Sequence, residues 1–520
     1  MNKRILSLLS LCALLAGCSN KISLKFSPYE DFINPQELMR DYEDEYFVSK
    51  KEVTPISIKG GSISSLRDLY NNTKGVYSKN TIPTKGDRKL LVIPVYFTDS
   101  DTSNQDAKTI FIQNAFFGKT GSTSYDSLVG YYNKSSYGQL KISGEVAPWY
   151  NIGIKSSEWE KLSSSYMNAS SIIVASAVDY LKEHSEINFD DYDTDKDGIL
   201  DGVYAIYDHP QEDSSSFFWA YTHHTYKGEN QLNKTEPYLN NYSWTSVNTL
   251  MQKDNKSSTN YIIHETGHLF GLSDYYNRSA NSNQNNYHYQ PTGYFDMMDY
   301  NIGDHSSFSK YLLNYSSPLV VKNNISTTIK LHPLSTSGEY LLISSSDYHN
   351  SPFAEYLLVE FFSPTGLNKF DGSFSYSSKT VEKGVYRYPN HYGVRIYHVN
   401  TALGYYQKGT NTSMICRVDD PNAMALIEGK TVGVEYVYDN TISDQEASNK
   451  HPVLYHLLES SGQNTFIDGN PATNDTLFKT GSDFGINTYK GFTFDNGSEC
   501  HFQMKVVEMS TDYVKLEIKN

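Results

Sequence analysis

The order of the predicted secondary-structure elements changes at about residue 320, and this change constrains the fold most strongly. Before it, a buried strand at Lys89–Phe97, an amphipathic helix at Ser171–His184 and a strand at Gly202–Asp208 alternate, as in a mixed α/β region. After it come β-rich segments without a long helix, and the last, Asp512–Asn520, alternates apolar and charged residues. The sequence therefore predicts an α+β domain followed by an all-β, sandwich-like C-terminal domain.

The length of the chain, 520 residues, exceeds what one ordinary hydrophobic core supports. We divide it into a signal peptide at 1–17, a tether or N-terminal segment at 18–87, the α+β domain at 88–320 and the β-rich domain at 321–520. The net charge of −15, with no compensating basic stripe, argues against a nucleic-acid partner.

The N-terminus has the pattern of an export signal. Lys3 and Arg4 precede an apolar run that is too short to span a bilayer, and the run ends in Leu-Ala-Gly-Cys at Cys18. This ending resembles the lipobox of bacterial lipoproteins, which implies lipidation of Cys18 and attachment to a membrane by that lipid. We expect an extracytoplasmic lipoprotein on the cell surface or outer membrane; the alternative is an ordinary secretory signal with an incidental cysteine.

Cysteine usage agrees with export of a chain that folds on its own core. Processing would remove Cys12 and place lipid on Cys18, so that Cys416 and Cys500 remain and allow at most one disulfide.

The segment Tyr261–Tyr276, YIIHETGHLFGLSDYY, carries the strongest chemical signal. His264 and His268 are four residues apart, so in a helix both imidazoles project from one face and can share a cation. Glu265 is adjacent to the first histidine and can reach a water at the metal without binding the metal itself. A histidine pair alone is more often part of a core or a surface, so this pattern by itself supports only a hypothesis.

The residues that follow extend the motif. Gly271 allows a left-handed helix end, and the turn returns Asp274 towards the histidines as a third ligand. Two imidazoles and one carboxylate leave a fourth tetrahedral position open, which is typical of a catalytic zinc site.

The stretch His264–Asp274 matches HExGHxxGxxD throughout and resembles the immune-inhibitor-A-like metallopeptidases. Similarity extends from about Lys89 to Pro318 and is weaker beyond. The resemblance implies a metzincin-like zinc peptidase catalytic domain at 88–320, with zinc held by His264, His268 and Asp274, and with Glu265 as the general base.

A methionine turn is also implied by this resemblance, and GYFDMMDYN at Gly293–Asn301 fits it. Met298 is the expected turn methionine, with Met297 as the alternative. Tyr300 is a candidate for stabilising the reaction intermediate, and the alternative is a tyrosine that packs under the helix. The implied activity is hydrolysis of protein or peptide substrates that bind extended along an edge strand, for which Tyr242–Ser246 is the candidate.

A second ion site is predicted in DYDTDKDGILDG, which places Asp193, Asp195, Asp197 and Asp201 around Gly198. Alternate carboxylates in a tight loop suit calcium, although Tyr204 occupies the position where an EF-hand has its glutamate. The alternative is a solvated acidic turn.

Two other functions are compatible with the motif. One is a surface binding module or adhesin on a peptidase fold that has lost catalysis, which the intact Glu265 disfavours. The other is a structural zinc domain, which the three-ligand arrangement disfavours. His223 and His224 lack supporting residues and are expected to be solvated.

Overall fold

The structure is a computed structural model that describes Phe47–Val48 and residues 82–519, with gaps at 224–231, 252–257, 281–285, 322–325, 347, 349–351, 372–375, 378–384, 387–388, 408–413 and 419–431. The signal peptide, Cys18, most of the 18–87 segment and His224 lie outside the described residues, as does the side chain of Cys416. Cys500 is half-buried and forms no disulfide with any described residue. Within these ranges, no helix is both long and apolar enough to cross a membrane.

The strands of the first half, in chain order, are β1 (Phe47–Val48), β2 (Gly86–Tyr96), β3 (Leu140–Val146), β4 (Tyr150–Asn151), β5 (Gly202–Tyr207), β6 (Tyr221–His223) and β7 (Tyr242–Ser246). The helices before residue 320 are α1 (Gln105–Phe117), α2 (Leu128–Ser135), α3 (Tyr166–His184), α4 (Val247–Leu250), α5 (Asn260–Leu269) and α6 (Ser307–Leu312). The strand and helix predictions for this region are confirmed.

The sheet of this region has the order β3-β2-β5-β7-β6, with β4 also paired to β2. Its pairs are parallel except that β6 runs antiparallel to β7. Alternate side chains of β2 and β5 pack in two separate cores, because successive residues of a strand face opposite sides. Helix α3 covers one face, and α1, α2 and α5 cover the other.

The second half is rich in strands. These are β8 (Leu319–Val321), β9 (Ser326–Leu331), β10 (Tyr340–Ser344), β11 (Glu355–Phe362), β12 (Tyr376–Ser377), β13 (Val385–Tyr386), β14 (Gly393–Asn400), β15 (Leu403–Gln407), β16 (Met414–Arg417), β17 (Val432–Tyr436), β18 (Tyr455–Leu458), β19 (Asp483–Phe484), β20 (Gln503–Met509) and β21 (Val514–Lys519). Among the described residues of this half, the α-helices are α7 (Leu334–Ser337) and α8 (Asp444–Ser448), and both are short.

Two sheets of the second half face one another. The larger has the order β1-β8-β10-β11-β14-β18, and the smaller has the order β19-β20-β21-β9. A shared core lies between them, and Val514, Leu516 and Ile518 of β21 point into it with no exposed side-chain surface, as the alternation predicted. The mixed α+β architecture is therefore confirmed at the level of the elements.

The opposite face of the larger sheet packs against the region that contains the motif Tyr261–Tyr276. Tyr340, Tyr356 and Tyr397 of this sheet belong to the same core as Ile262 and Met298. The predicted boundary at residue 320 lies within β8, which pairs with β10. The domain limits stay predictions, but the two regions share a continuous core.

Candidate metal centre

Helix α5 holds both motif histidines with their rings nearly perpendicular, at an interplanar angle of 85° and a centroid separation of 4.9 Å. Asp274 lies between them: its Oδ1 is 3.2 Å from Nε2 of His264 and 3.2 Å from Nε2 of His268. Ligand atoms on a tetrahedral zinc with bonds of about 2.0–2.1 Å lie about 3.3 Å apart. Asp274 therefore lies at the spacing of a shared cation from each histidine, and the three ligand atoms lie within 4.8 Å of one another.

The other ring nitrogen of each histidine, Nδ1, forms a hydrogen bond with a backbone carbonyl oxygen. Nδ1 of His264 lies 2.9 Å from the carbonyl oxygen of Met297, and Nδ1 of His268 lies 2.8 Å from that of Leu272. A carbonyl oxygen only accepts, so each Nδ1 carries a proton, and Nε2 is the ring nitrogen that faces Asp274 and is available to a metal. Both rings are thus oriented with Nε2 towards the place where a metal would bind.

The charges of Asp274 and His268 shift the pKa of each other. Burial raises the pKa of Asp274, but the charge of His268 and hydrogen bonds from both imidazoles outweigh it and hold that pKa well below its usual range. Burial lowers the pKa of His268, yet Asp274 and then Glu265 raise it to about 9. A cation that binds here meets an ionised carboxylate and displaces a proton from His268.

The end of α5 returns the chain to the site. Gly271 has φ of +91°, a left-handed conformation that other residues adopt only with strain. Its N–H donates to the carbonyl of His268 at 2.8 Å, and the next N–H, of Leu272, donates to the carbonyl of Gly267 at 2.9 Å. These bonds close the helix and bring Asp274 beneath the histidines, as the motif predicted.

Met298 packs against the underside of the helix. A Cβ atom added at Gly267 would lie only 2.4 Å from the Met298 sulfur, so the glycine makes room for the methionine. Met298 is fully buried, and its carbonyl accepts the N–H of Tyr275 at 2.8 Å. The structure therefore places Met298 directly beneath the helix that carries the two histidines. The carbonyl oxygen of its neighbour, Met297, accepts the hydrogen bond from His264.

Glu265 is 6% exposed and lies on the same helix. Its Oε2 accepts a hydrogen bond of 2.7 Å from the hydroxyl of Thr222, which belongs to β6. Thr222 did not emerge from the sequence, because 43 residues separate it from Glu265 and only the sheet order brings them together. A threonine in a strand carries no signal of its own.

Two tyrosines border the cluster. Tyr276 stacks towards His264 with centroids 6.4 Å apart, and Tyr300 contacts Tyr276 at 5.8 Å. Burial and the nearby Asp274 raise the pKa of Tyr276 well above its usual value. Tyr300 is 37% exposed, and its proposed part in the reaction stays a prediction. Tyr276 thus stacks on a predicted ligand, and no sequence pattern distinguishes it from the neighbouring tyrosines.

The prediction that Tyr242–Ser246 is an edge strand is wrong. This segment forms β7, all of whose residues are buried, and it pairs with β5 on one side and β6 on the other. On that side of the sheet, the edge among the described strands is β6, the strand that carries Thr222 and His223, and β3 is the strand at the other end. His223 is only partly exposed, contrary to the expectation of a solvated side chain, and burial lowers its pKa to about 4.

The acidic loop brings three of its four predicted residues together. Asp193, Asp195 and Asp197 each offer an oxygen within 4.8 Å of the others, and Gly198 turns the loop with φ of +83°. Asp201 is directed elsewhere: its Oδ2 accepts hydrogen bonds from the backbone and hydroxyl of Thr194. The calcium assignment stays a prediction for all four residues, and this geometry favours the first three.

Another group that could bind a metal lies in the second half, where Glu355, His398 and Asp495 converge. Its spacing differs from that of the histidine helix. Nε2 of His398 is 2.7 Å from Oε1 of Glu355, a direct hydrogen bond, and 3.9 Å from Oδ2 of Asp495. Glu355 also accepts the backbone N–H of Asp495 at 2.6 Å. We therefore interpret the group as a set of hydrogen bonds that holds the turn at Asp495 in place.

The chain matches no protein-family model and no curated protein sequence. The peptidase resemblance therefore rests on the motif Tyr261–Tyr276 and on the residues that the fold gathers around it.

Proposed function

We propose that this protein is an exported, lipid-anchored zinc endopeptidase. The observation that carries the proposal is the convergence of His264, His268 and Asp274, with Nε2 of both histidines 3.2 Å from Oδ1 of Asp274, and with Glu265 on the same helix as the histidines. The proposed localisation rests on the lipobox-like sequence that ends at Cys18.

The residues of the site have separate roles in peptide hydrolysis. His264, His268 and Asp274 would hold zinc, and Glu265 would accept a proton from the attacking water and pass it to the leaving amine. Zinc, when bound, supplies a Lewis acid that polarises the scissile carbonyl and makes the water acidic near neutral pH. A peptide in extended conformation would pair with β6, the strand next to α5 at the sheet edge.

The direct test is cleavage of fluorescein-labelled casein by the purified protein. We expect activity that a zinc chelator removes and added zinc restores. Glu265→Gln should keep zinc but lower kcat at least about 100-fold, because removal of a general base costs that much. Full activity of Glu265→Gln would contradict the mechanism, and binding of casein without cleavage would favour the adhesin alternative.

We also propose that Asp193, Asp195 and Asp197 bind calcium and stabilise the loop before β5. Calcium chelation by EGTA should lower Tm of the wild type, and Asp195→Asn should lower Tm and abolish the response. An equal response to EGTA in Asp195→Asn would contradict this assignment.

A further inference from the structure

A chain of hydroxyl groups leads from the sheet to Glu265. Thr222 of β6 pairs with Ser243 of β7, and their hydroxyl oxygens are 2.8 Å apart. The Thr222 hydroxyl is 2.7 Å from Oε2 of Glu265. The single proton of Thr222 is donated to Glu265, whose Oε2 is the nearer acceptor and whose backbone carbonyl oxygen lies 3.1 Å away, so Ser243 donates to Thr222.

These contacts restrain a side chain that otherwise has several rotamers. Glu265 projects from α5 through freely rotating bonds, and a hydrogen bond to one carboxylate oxygen also fixes where the other oxygen lies. The contact between Thr222 and Glu265 is shielded from solvent, because Glu265 is 6% exposed and Ser243 has no exposed surface. A buried hydrogen bond to a charged group is among the stronger ones in proteins.

We propose that Thr222 is a positioning residue for the general base Glu265, and that Ser243 orients the Thr222 hydroxyl. This inference rests on the proposed peptidase function. Thr222 acts through Glu265, by holding the carboxylate in the orientation that accepts the proton. Correct placement of a catalytic group has large effects on rate, since small displacements weaken proton transfer.

The test compares variants that differ only in this hydroxyl. Thr222→Val removes it and keeps the β-branched shape, whereas Thr222→Ser retains it. Thr245→Val is the matched control, because Thr245 is a fully buried threonine of the adjacent strand whose hydroxyl lies 3.5 Å from that of Thr249. Steady-state kinetics on labelled casein and zinc content per chain are measured for each zinc-loaded protein.

Thr222→Val should lower kcat about 10- to 100-fold, with KM and zinc content close to the wild type, because the base is misplaced while the metal site is intact. Thr222→Ser should recover most of this loss, and Ser243→Ala should show a smaller decrease in kcat. Thr245→Val should behave as the wild type.

Four results would overturn the inference: an unchanged kcat in Thr222→Val, an equal loss in Thr245→Val, no recovery in Thr222→Ser, or loss of zinc from Thr222→Val. In each case an active wild type leaves the proposed peptidase function standing. A zinc-loaded wild type that cleaves no casein would instead overturn the peptidase function and, with it, this inference.

Discussion

Gly267 is the residue of the histidine motif whose small size the packing of the protein requires most clearly. It lies between the two histidines on α5, and the Met298 sulfur occupies the space where a side chain would begin. The glycine is unfavourable for the helix itself, by about 1 kcal/mol relative to alanine. Close packing on Met298 compensates for this cost and keeps the histidines over a fixed floor.

Gly267→Ala should therefore lower Tm and weaken zinc binding, although alanine is the better helix former. The added Cβ must displace Met298, and overpacking of a core costs about 1–3 kcal/mol. Met298→Ala alone should also lower Tm, since it leaves a cavity. The variant that combines Gly267→Ala and Met298→Ala should lose less Tm than the sum of the two single losses, because the added Cβ occupies space that Met298 has left. Strictly additive changes in Tm would contradict this packing relation.

At the scale of elements, the segment after Met298 is held by side chains from the second half of the chain. Asp371 accepts hydrogen bonds from Asn301 at 3.2 and 3.3 Å, and Asn368 accepts the N–H of Asp304 at 2.8 Å. Burial raises the pKa of Asp371 to about 7, and the positive charge of Arg395 opposes that rise.

Asp371 should give stability a measurable pH dependence. Its pKa is higher in the folded state than the ordinary aspartate value of 3.8, so the folded state binds the extra proton between pH 4 and 7. Its contribution is greatest below pH 4 and falls as pH rises to about 7, by up to about 4 kcal/mol. Asp371→Asn mimics the protonated acid, so the Tm of the wild type relative to this variant should fall over that range. A constant difference in Tm would contradict the argument.

The elements that the sequence predicted correctly are those with a local pattern. Alternation in β21 and the spacing from His264 to Asp274 depend on residues close in the chain, and the structure reproduces both. The edge strand was misassigned because the order of strands depends on pairing between distant segments, here β6 with β7. The contact between Thr222 and Glu265 follows from the same pairing.

At the scale of the whole molecule, a buried ion pair links the β-rich half to the metal-site region. Arg395 of β14 pairs with Glu360 of β11, and these side chains are 3% and 0% exposed. Glu360 also accepts the backbone N–H of Ser307 at 2.7 Å, at the start of α6. The Arg395 guanidinium lies 4.9 Å from the ring centroid of Phe295, three residues before Met298.

Arg395→Met should destabilise the protein by about 3–5 kcal/mol, because it leaves the Glu360 charge buried and unpaired. It should also weaken zinc binding, since Glu360 contacts the segment beyond Met298. Adding Glu360→Gln should restore part of the Tm. The control is Lys515→Met, which breaks an exposed pair with Glu508 and should change Tm little. A decrease in Tm with unchanged zinc affinity would contradict the link between the two halves.

Anomalous X-ray diffraction at the zinc edge tests the claim that His264, His268 and Asp274 form a catalytic zinc site. Crystals of the zinc-loaded protein should show a peak about 2.0–2.2 Å from Nε2 of both histidines and from the Asp274 carboxylate. Crystals of Asp274→Ala should show a weaker peak or none. No peak at this position in the wild type, or zinc only at Glu355, His398 and Asp495, would contradict the claim.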